Sequence, residues 1–313
     1  MVSERQRTYS LFAQGIALCF LGAVCFSTKA IIVKLAYRET QVDPVSLLAL
    51  RMLFSMPFFL ISAAVSSARR SNVRFTPGQW MSVALIGCLG YYVSSLLDFV
   101  GLRYISAGME RLILFIYPTL VLLLAALIYG HRVHPRQWIA LLITYAGLVL
   151  ALTGELKIDA HDNAFYFGSF MIFGCAFTYA AYIVGSGRLI PVIGAAKFNS
   201  YAMSFACAAV LIHFLVVNEK SLLEFELRVY SYSVLMAIVS TVIPTYLISA
   251  GIRLAGSGNA AIVGSVGPVS TIILAYYFLG ESFSRLQVLG TLLILGGVWV
   301  ISTRAAGRAP MRQ

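Results

Sequence analysis

Charge is scarce in this chain. Asp, Glu, Lys and Arg make up 11% of its 313 residues, where an ordinary soluble domain carries about 25%. With 60% of residues hydrophobic, too little polar surface remains to cover a water-soluble body. Lipid must cover much of it, and no stretch outside the apolar runs is long enough to hold a soluble core. Acids are the rarer sign, 12 against 23 Lys and Arg, which leaves a net charge of +11. That balance suggests a nucleic-acid partner until the positions are read. The cations stand mostly singly between apolar runs, with no basic, aromatic-interleaved patch, so they read as loop charges that orient a membrane protein. Nucleic acid is excluded as a partner.

Chemistry-bearing groups are equally thin. The five cysteines, Cys19, Cys25, Cys88, Cys175 and Cys207, all fall inside apolar runs. None has zinc-ligand spacing, so they read as buried thiols rather than disulfides or metal ligands. His213 stands alone in an apolar run, while His131 and His134 share a basic turn with no carboxylate close by. Ser94 and Ser95 have no neighbouring histidine in sequence. No catalytic motif and no phosphate-binding glycine loop occurs. These absences argue against an enzyme, a metal site, any cofactor, and ATP as the direct energy source.

What the chain does have is long apolar runs. About 20 mostly apolar residues are needed to cross a bilayer as a helix, and ten segments meet or nearly meet that test. The first five run Leu11–Val33, Val45–Val65, Trp80–Val100, Ala107–Tyr129 and Arg136–Thr153. The others are Phe165–Val184, Phe198–Val217, Ser231–Ala250, Asn259–Leu279 and Val288–Ser302. Barrel strands are about ten residues long and alternate in polarity, so helices are expected. The first run contains Lys29 and no small-residue cleavage pattern, and is expected to be a retained span rather than a signal peptide. Placing both termini in the cytoplasm puts 13 loop cations inside and seven outside, the bias expected of cytoplasmic loops. Trp80 and Trp138 open spans on that side and suit interface anchors.

The sequence also repeats. Displaced by 150 residues, Gly101, Arg103, Gly108, Pro118, Gly130, Gln137 and Gly147 fall on Gly251, Arg253, Gly258, Pro268, Gly280, Gln287 and Gly297. Residues 101–147 give ten identities in 47 positions. Each unit holds five spans, an odd number, so the second enters the membrane from the opposite side. The expected architecture is an all-α polytopic membrane protein with ten transmembrane helices in two inverted five-helix repeats. Residues 1–153 form the first, 154–164 connect, 165–303 form the second, and 304–313 are a cytoplasmic tail. Inverted repeats are a signature of secondary transporters; a duplicated structural bundle is the plainer reading. Pro118, Pro244 and Pro268 are expected to kink their spans, and Gly290, Gly296, Gly297, Ala140 and Gly147 to form close-packing faces.

Five charges lie inside apolar runs: Lys29, Arg51, Asp98, Glu110 and Arg111. Each costs roughly 2.5–3.5 kcal/mol on insertion scales when it sits at the bilayer centre. All five belong to the first half, an asymmetry that scaffolding does not need and a substrate site does. A cluster of mixed sign suits a zwitterion, and Tyr92, Tyr117, Tyr179 and Tyr246 offer an apolar face with a hydroxyl. Interfacial pairing, snorkelling and packing are the plainer readings of these residues. Asp98 or Glu110 is also a candidate proton carrier, since burial raises a carboxyl pKa.

Phe26-Ser27-Thr28-Lys29-Ala30, Val33-Lys34-Leu35-Ala36, Leu50-Arg51, Gly90-Tyr91-Tyr92, Leu97-Asp98-Phe99 and Ala107-Gly108-Met109-Glu110-Arg111 together give the chain a family likeness. With Pro268, Leu279-Gly280-Glu281, Gln287 and Gly290, it resembles the EamA branch of the drug/metabolite transporter superfamily over essentially its whole length. The resemblance implies ten transmembrane helices and export of amino acids or similar small polar metabolites across a bacterial inner membrane. It departs from the family at His131, which stands where the second repeat has Glu281. The expected partners are a small-molecule substrate and the lipid bilayer, with protons a candidate coupling ion and a monomer or homodimer as the assembly. A lipid scramblase or structural membrane protein remains the alternative, with a membrane-embedded enzyme behind it.

Overall fold

The structure is a computed structural model, described for residues 4–68, 74–105, 110, 113–130, 133–152, 163–217, 221–264, 266–279 and 285–302. Among the described residues it is all-helical, without a strand. The helices are α1 (Glu4–Glu39), α2 (Pro44–Ala68), α3 (Pro77–Gly87) and α4 (Ser94–Gly101), then α5 (Tyr117–Tyr129), α6 (Pro135–Leu152), α7 (Asn163–Ile193) and α8 (Ala195–Val217). They continue as α9 (Leu227–Ala237), α10 (Ile243–Ala255), α11 (Ser257–Val263), α12 (Val266–Leu279) and α13 (Arg285–Ser302). Among the described residues six helical stretches are long and apolar enough to span a membrane: Ser10–Glu39, Pro44–Ala68, Pro77–Gly101, Asn163–Ile193, Ala195–Val217 and Leu227–Ala255. Tyr117–Tyr129 and Val288–Gly297 are shorter apolar helices.

Two of the six spans are not plain α-helices. α3 passes into α4 through a π-helical segment, Cys88–Val93, and α9 into α10 through another, Ile238–Val242. The Ser94 amide donates to the Leu89 carbonyl, and the Ile243 amide to that of Ile238, each five residues back. A π turn widens the helix and re-aims the side chains that follow it.

Pro118 and Pro244 each follow a departure from α-helical geometry. Pro118 sits in the first turn of α5 after a break at Phe115–Ile116, and Pro244 in the first turn of α10. Pro118 loses no N–H bond inside α5, whereas Pro244 lies within the continuous span Leu227–Ala255, just past its π-helical segment, where proline removes a helical donor. Pro268 falls near the start of α12. The prolines inside helices are Pro57 in α2 and Pro191 in α7.

Apolar association drives helices together weakly in lipid, so close packing and hydrogen bonds must do it. α6 pairs with α13, where a Cβ on Gly147 would come 2.6 Å from the Gly290 carbonyl oxygen. Gly296 faces open space and takes no part. α1 packs along α10 and α12, and α2 along α8. Gly194, at φ +88°, turns α7 into α8 in a single residue, a conformation that costs glycine little.

Candidate functional site

The bundle encloses a cavity of about 110 Å³ between α1, α4, α5, α7, α10 and α12. Its lining has a polar set, Ser27, Lys29, Ser94, Ser95, Asp98, Glu110 and Cys175, and an aromatic set, Phe26, Phe115, Tyr117 and Tyr179.

α4 supplies three of the seven polar lining residues. Ser94, Ser95 and Asp98 are spaced to share one face of that helix, and the π-helical segment before them sets where that face points. Asp98 is fully buried and forms an ion pair with the Lys29 ammonium of α1, itself 8% exposed. Lys29 also stands 5.5 Å from the centre of the Phe26 ring. Mutual compensation is what makes two buried charges tolerable in lipid. The Ser94 hydroxyl lies 3.4 Å from the Cys175 sulfur on α7. Ser27 Oγ lies 2.8 Å from the Ala23 carbonyl oxygen and 2.9 Å from that of Gly267, which ties α1 to α12.

The aromatic residues form one connected cluster. The Tyr179 and Tyr117 rings meet edge to face at 5.3 Å, and Tyr179 stacks on Tyr182 at 5.9 Å. The Tyr117 hydroxyl donates to the Ala261 carbonyl at 3.0 Å, holding α5 against α11.

Of the side chains singled out from sequence, the structure therefore gathers Lys29, Asp98, Glu110, Tyr117 and Tyr179 around one cavity. Three others are placed elsewhere. Arg51 is fully buried against α4, where its Nη2 donates to Ser95 Oγ at 3.4 Å and its guanidinium sits 5.6 Å from the Phe99 ring centre. Tyr92 packs its ring against His213 at 5.7 Å. Tyr246 lies between Phe59 and Ser200, its hydroxyl 3.0 Å from Ser200 Oγ. Arg111 lies outside the described residues, and so do His131, Glu281, most of the connecting segment and the tail. Trp80 sits in an aromatic cluster with Phe75, Tyr201 and Phe205. The five cysteines are free thiols.

Reading the sequence alone missed Gly90, Cys175, Gly264 and Gly267 as lining residues, because small residues in an apolar run look like packing. It also missed Tyr182, whose alternation with Tyr179 at three-residue spacing was the available signal.

Long apolar helices around a buried ion pair and a cavity of mixed lining define a multi-pass membrane protein. The comparisons with known proteins name its kind. The model of the EamA-like transporter family matches residues 13–153 and again 166–303. The uncharacterized transporter YcbK of Bacillus subtilis is 31% identical over 307 residues, covering 97% of this chain and 96% of its own. The uncharacterized inner membrane transporter YicL of Salmonella typhimurium is 22% identical over 95% of this chain and 97% of its own. A solved crystal structure superposes with a TM-score of 0.75 at 19% identity, over 92% of this chain and 98% of that one, a likeness of fold. The chain belongs to the EamA-like transporter family.

Proposed function

We propose that the protein is a secondary transporter that exports amino acids or similar small polar metabolites by alternating access. The observation that carries this reading is the Lys29–Asp98 pair, two charges held in a cavity between membrane-spanning helices. Opposite charges there match a zwitterion, whose carboxylate faces a cation and whose amine faces a carboxylate, while the aromatic residues take the rest of the molecule. Structural pairing alone needs no cavity.

The architecture proposed is ten spans in two inverted repeats, 1–153 and 165–303, joined by 154–164 and followed by the tail 304–313. Support comes from the two separate family matches, one in each half. The two π-helical segments begin at Cys88 and Ile238, 150 residues apart like the sequence repeat. We place the protein in a bacterial inner membrane with both termini cytoplasmic, on the loop charges and the name of its Salmonella relative. It works as a monomer or homodimer, without a cofactor, and Asp98 or Glu110 is the group through which protons would couple.

Reconstituted protein and counterflow of labelled amino acids, with phosphorylated and sugar metabolites alongside, test this. Saturable counterflow lost in Lys29→Ala supports a carrier with its site here. Normal transport by folded Lys29→Ala and Asp98→Asn ends the site assignment. Silence of the folded wild type across the panel moves the reading to a lipid substrate. An imposed pH gradient without effect removes the proton carrier.

A further inference from the structure

Arg51 poses an energetic problem that the cavity alone does not answer. Its side chain is fully buried, its one hydrogen bond is 3.4 Å long, and Nε and Nη1 have no hydrogen-bond partner among the described residues. The Phe99 face compensates the charge in part. A guanidinium left this poorly met inside a bundle is more costly than an apolar residue of the same size. A carboxylate brought within reach would meet those donors.

The nearest acid in helical terms is Asp98. Arg51 reaches Ser95, and Ser95 and Asp98 are three residues apart on α4, which makes them neighbours on one face. Asp98 is held forward by Lys29 across the cavity wall. Asp98 thus pairs with Lys29 and stands one helical turn from the serine that Arg51 bonds.

We propose that Asp98 changes partner when substrate binds. Lys29 is the group that takes the substrate's carboxylate, Asp98 covers it beforehand, and Arg51 receives Asp98 when that carboxylate displaces it. The substrate class that follows is a carboxylate-bearing metabolite. Arg51 is thereby a positioning residue, acting through Asp98. This deepens the transport reading above and rests on it.

The test is methylation of Lys29 relative to the exposed Lys34 by formaldehyde and a borane reductant in the purified full chain, read by mass spectrometry, so that reagent consumed by a probe's own amine cancels. Acetate, L-leucine and L-leucinamide serve as probes. Asp98→Asn uncovers Lys29 and speeds its methylation about tenfold. Acetate and leucine protect Lys29, and leucinamide, which has no carboxylate, does not. Arg51→Met raises the acetate concentration for half-protection about tenfold when Asp98 is present, and leaves it unchanged in the Asp98→Asn background. Arg51→Lys, which keeps the charge, stays near the wild type.

An equal shift from Arg51→Met in both backgrounds makes Arg51 structural and overturns the partner exchange. Protection by leucinamide equal to that by leucine overturns Lys29 as the carboxylate group. Should Arg51→Met not fold, the Asp98→Asn arm decides: no acceleration of Lys29 methylation sinks the proposal. Leucine counterflow measured in parallel separates the two readings. Protection without counterflow counts against leucine transport alone, and counterflow without protection counts against the exchange alone.

Discussion

Tyr91 and Tyr182 tie the first π-helical segment to α7, their hydroxyls 3.1 Å apart and their rings meeting at 68° with centres 4.8 Å apart. Both are buried, and the residue before Tyr91 is Gly90, which lines the cavity. The pair therefore sets the position of the wall that carries Ser94, Ser95 and Asp98. Replacing Tyr182 by Phe strands the Tyr91 hydroxyl, since the pair is the one hydrogen bond it makes among the described residues. A stranded buried hydroxyl costs about 1–3 kcal/mol. Adding Tyr91→Phe removes the stranded group, so the double variant is expected to melt closer to the wild type than Tyr182→Phe alone. Thermal unfolding of the three variants in detergent measures this; a double variant no better than Tyr182→Phe contradicts it.

Gly90 is expected to tolerate no side chain. A Cβ there collides with the Tyr182 ring, which stacks against Tyr179 and Phe198 and has nowhere to retreat. Overpacking of this kind costs about 1–3 kcal/mol. Gly78→Ala is the control: a Cβ at that position meets nothing within 4 Å, and alanine favours the helix. Gly90→Ala should lower the melting temperature and reduce transport, while Gly78→Ala leaves both unchanged.

Asn199 links α8 to α10 through two buried bonds, donating from Nδ2 to Thr245 Oγ1 at 3.2 Å and accepting from Ser249 Oγ at 3.3 Å. The same two bonds need not be worth much. Hydrogen bonds inside membrane proteins average about 0.6 kcal/mol, and Thr245 already has the Val242 carbonyl within 3.0 Å. Asn199→Ala is therefore expected to lose only about 1 kcal/mol. Asn199→Asp is the severe change, because it buries an anion beside acceptors and one shared donor. Comparing the two melts decides whether geometry or charge governs this contact.

The order of severity in these variants follows what was and was not legible in the sequence. Long apolar runs show spans whatever they pack against, and a lysine or aspartate inside one is conspicuous because lipid penalises it. Lys29, Asp98 and Glu110 were visible for that reason. Which face a side chain takes was not. Tyr91 and Tyr92 are adjacent, about 100° apart on a helix, yet one pins the cavity wall and the other packs on His213. A pattern across a whole span cannot choose between them when a π turn intervenes, since that turn changes the phase of every residue after it. Nothing in Cys88–Val93 marks it apart from Gly90; the second has Pro244 just beyond its end. Arg51 was flagged as a charge, but its place against α4 depends on how α2 and α8 pack, which the sequence states nowhere locally.

Orientation gives the last prediction. The loop cations divide 13 to seven in favour of cytoplasmic termini, and the bias of Lys and Arg, more than that of acids, sets topology. Gly78 opens α3 and Leu223 lies between α8 and α9, 88% exposed. With an odd number of spans between them, α3 with α4, α5, α6, α7 and α8 giving five, they must face opposite sides if each crosses once. Gly78→Cys is expected to resist a membrane-impermeant maleimide added to intact cells and to react after permeabilisation. Leu223→Cys is expected to react from outside directly. The native thiols set the baseline, three of them buried and two half-buried. Equal labelling of both variants from one side contradicts the count of crossings, whereas reversed labelling keeps the count and turns the protein over, and with it the side on which the carrier first meets its substrate.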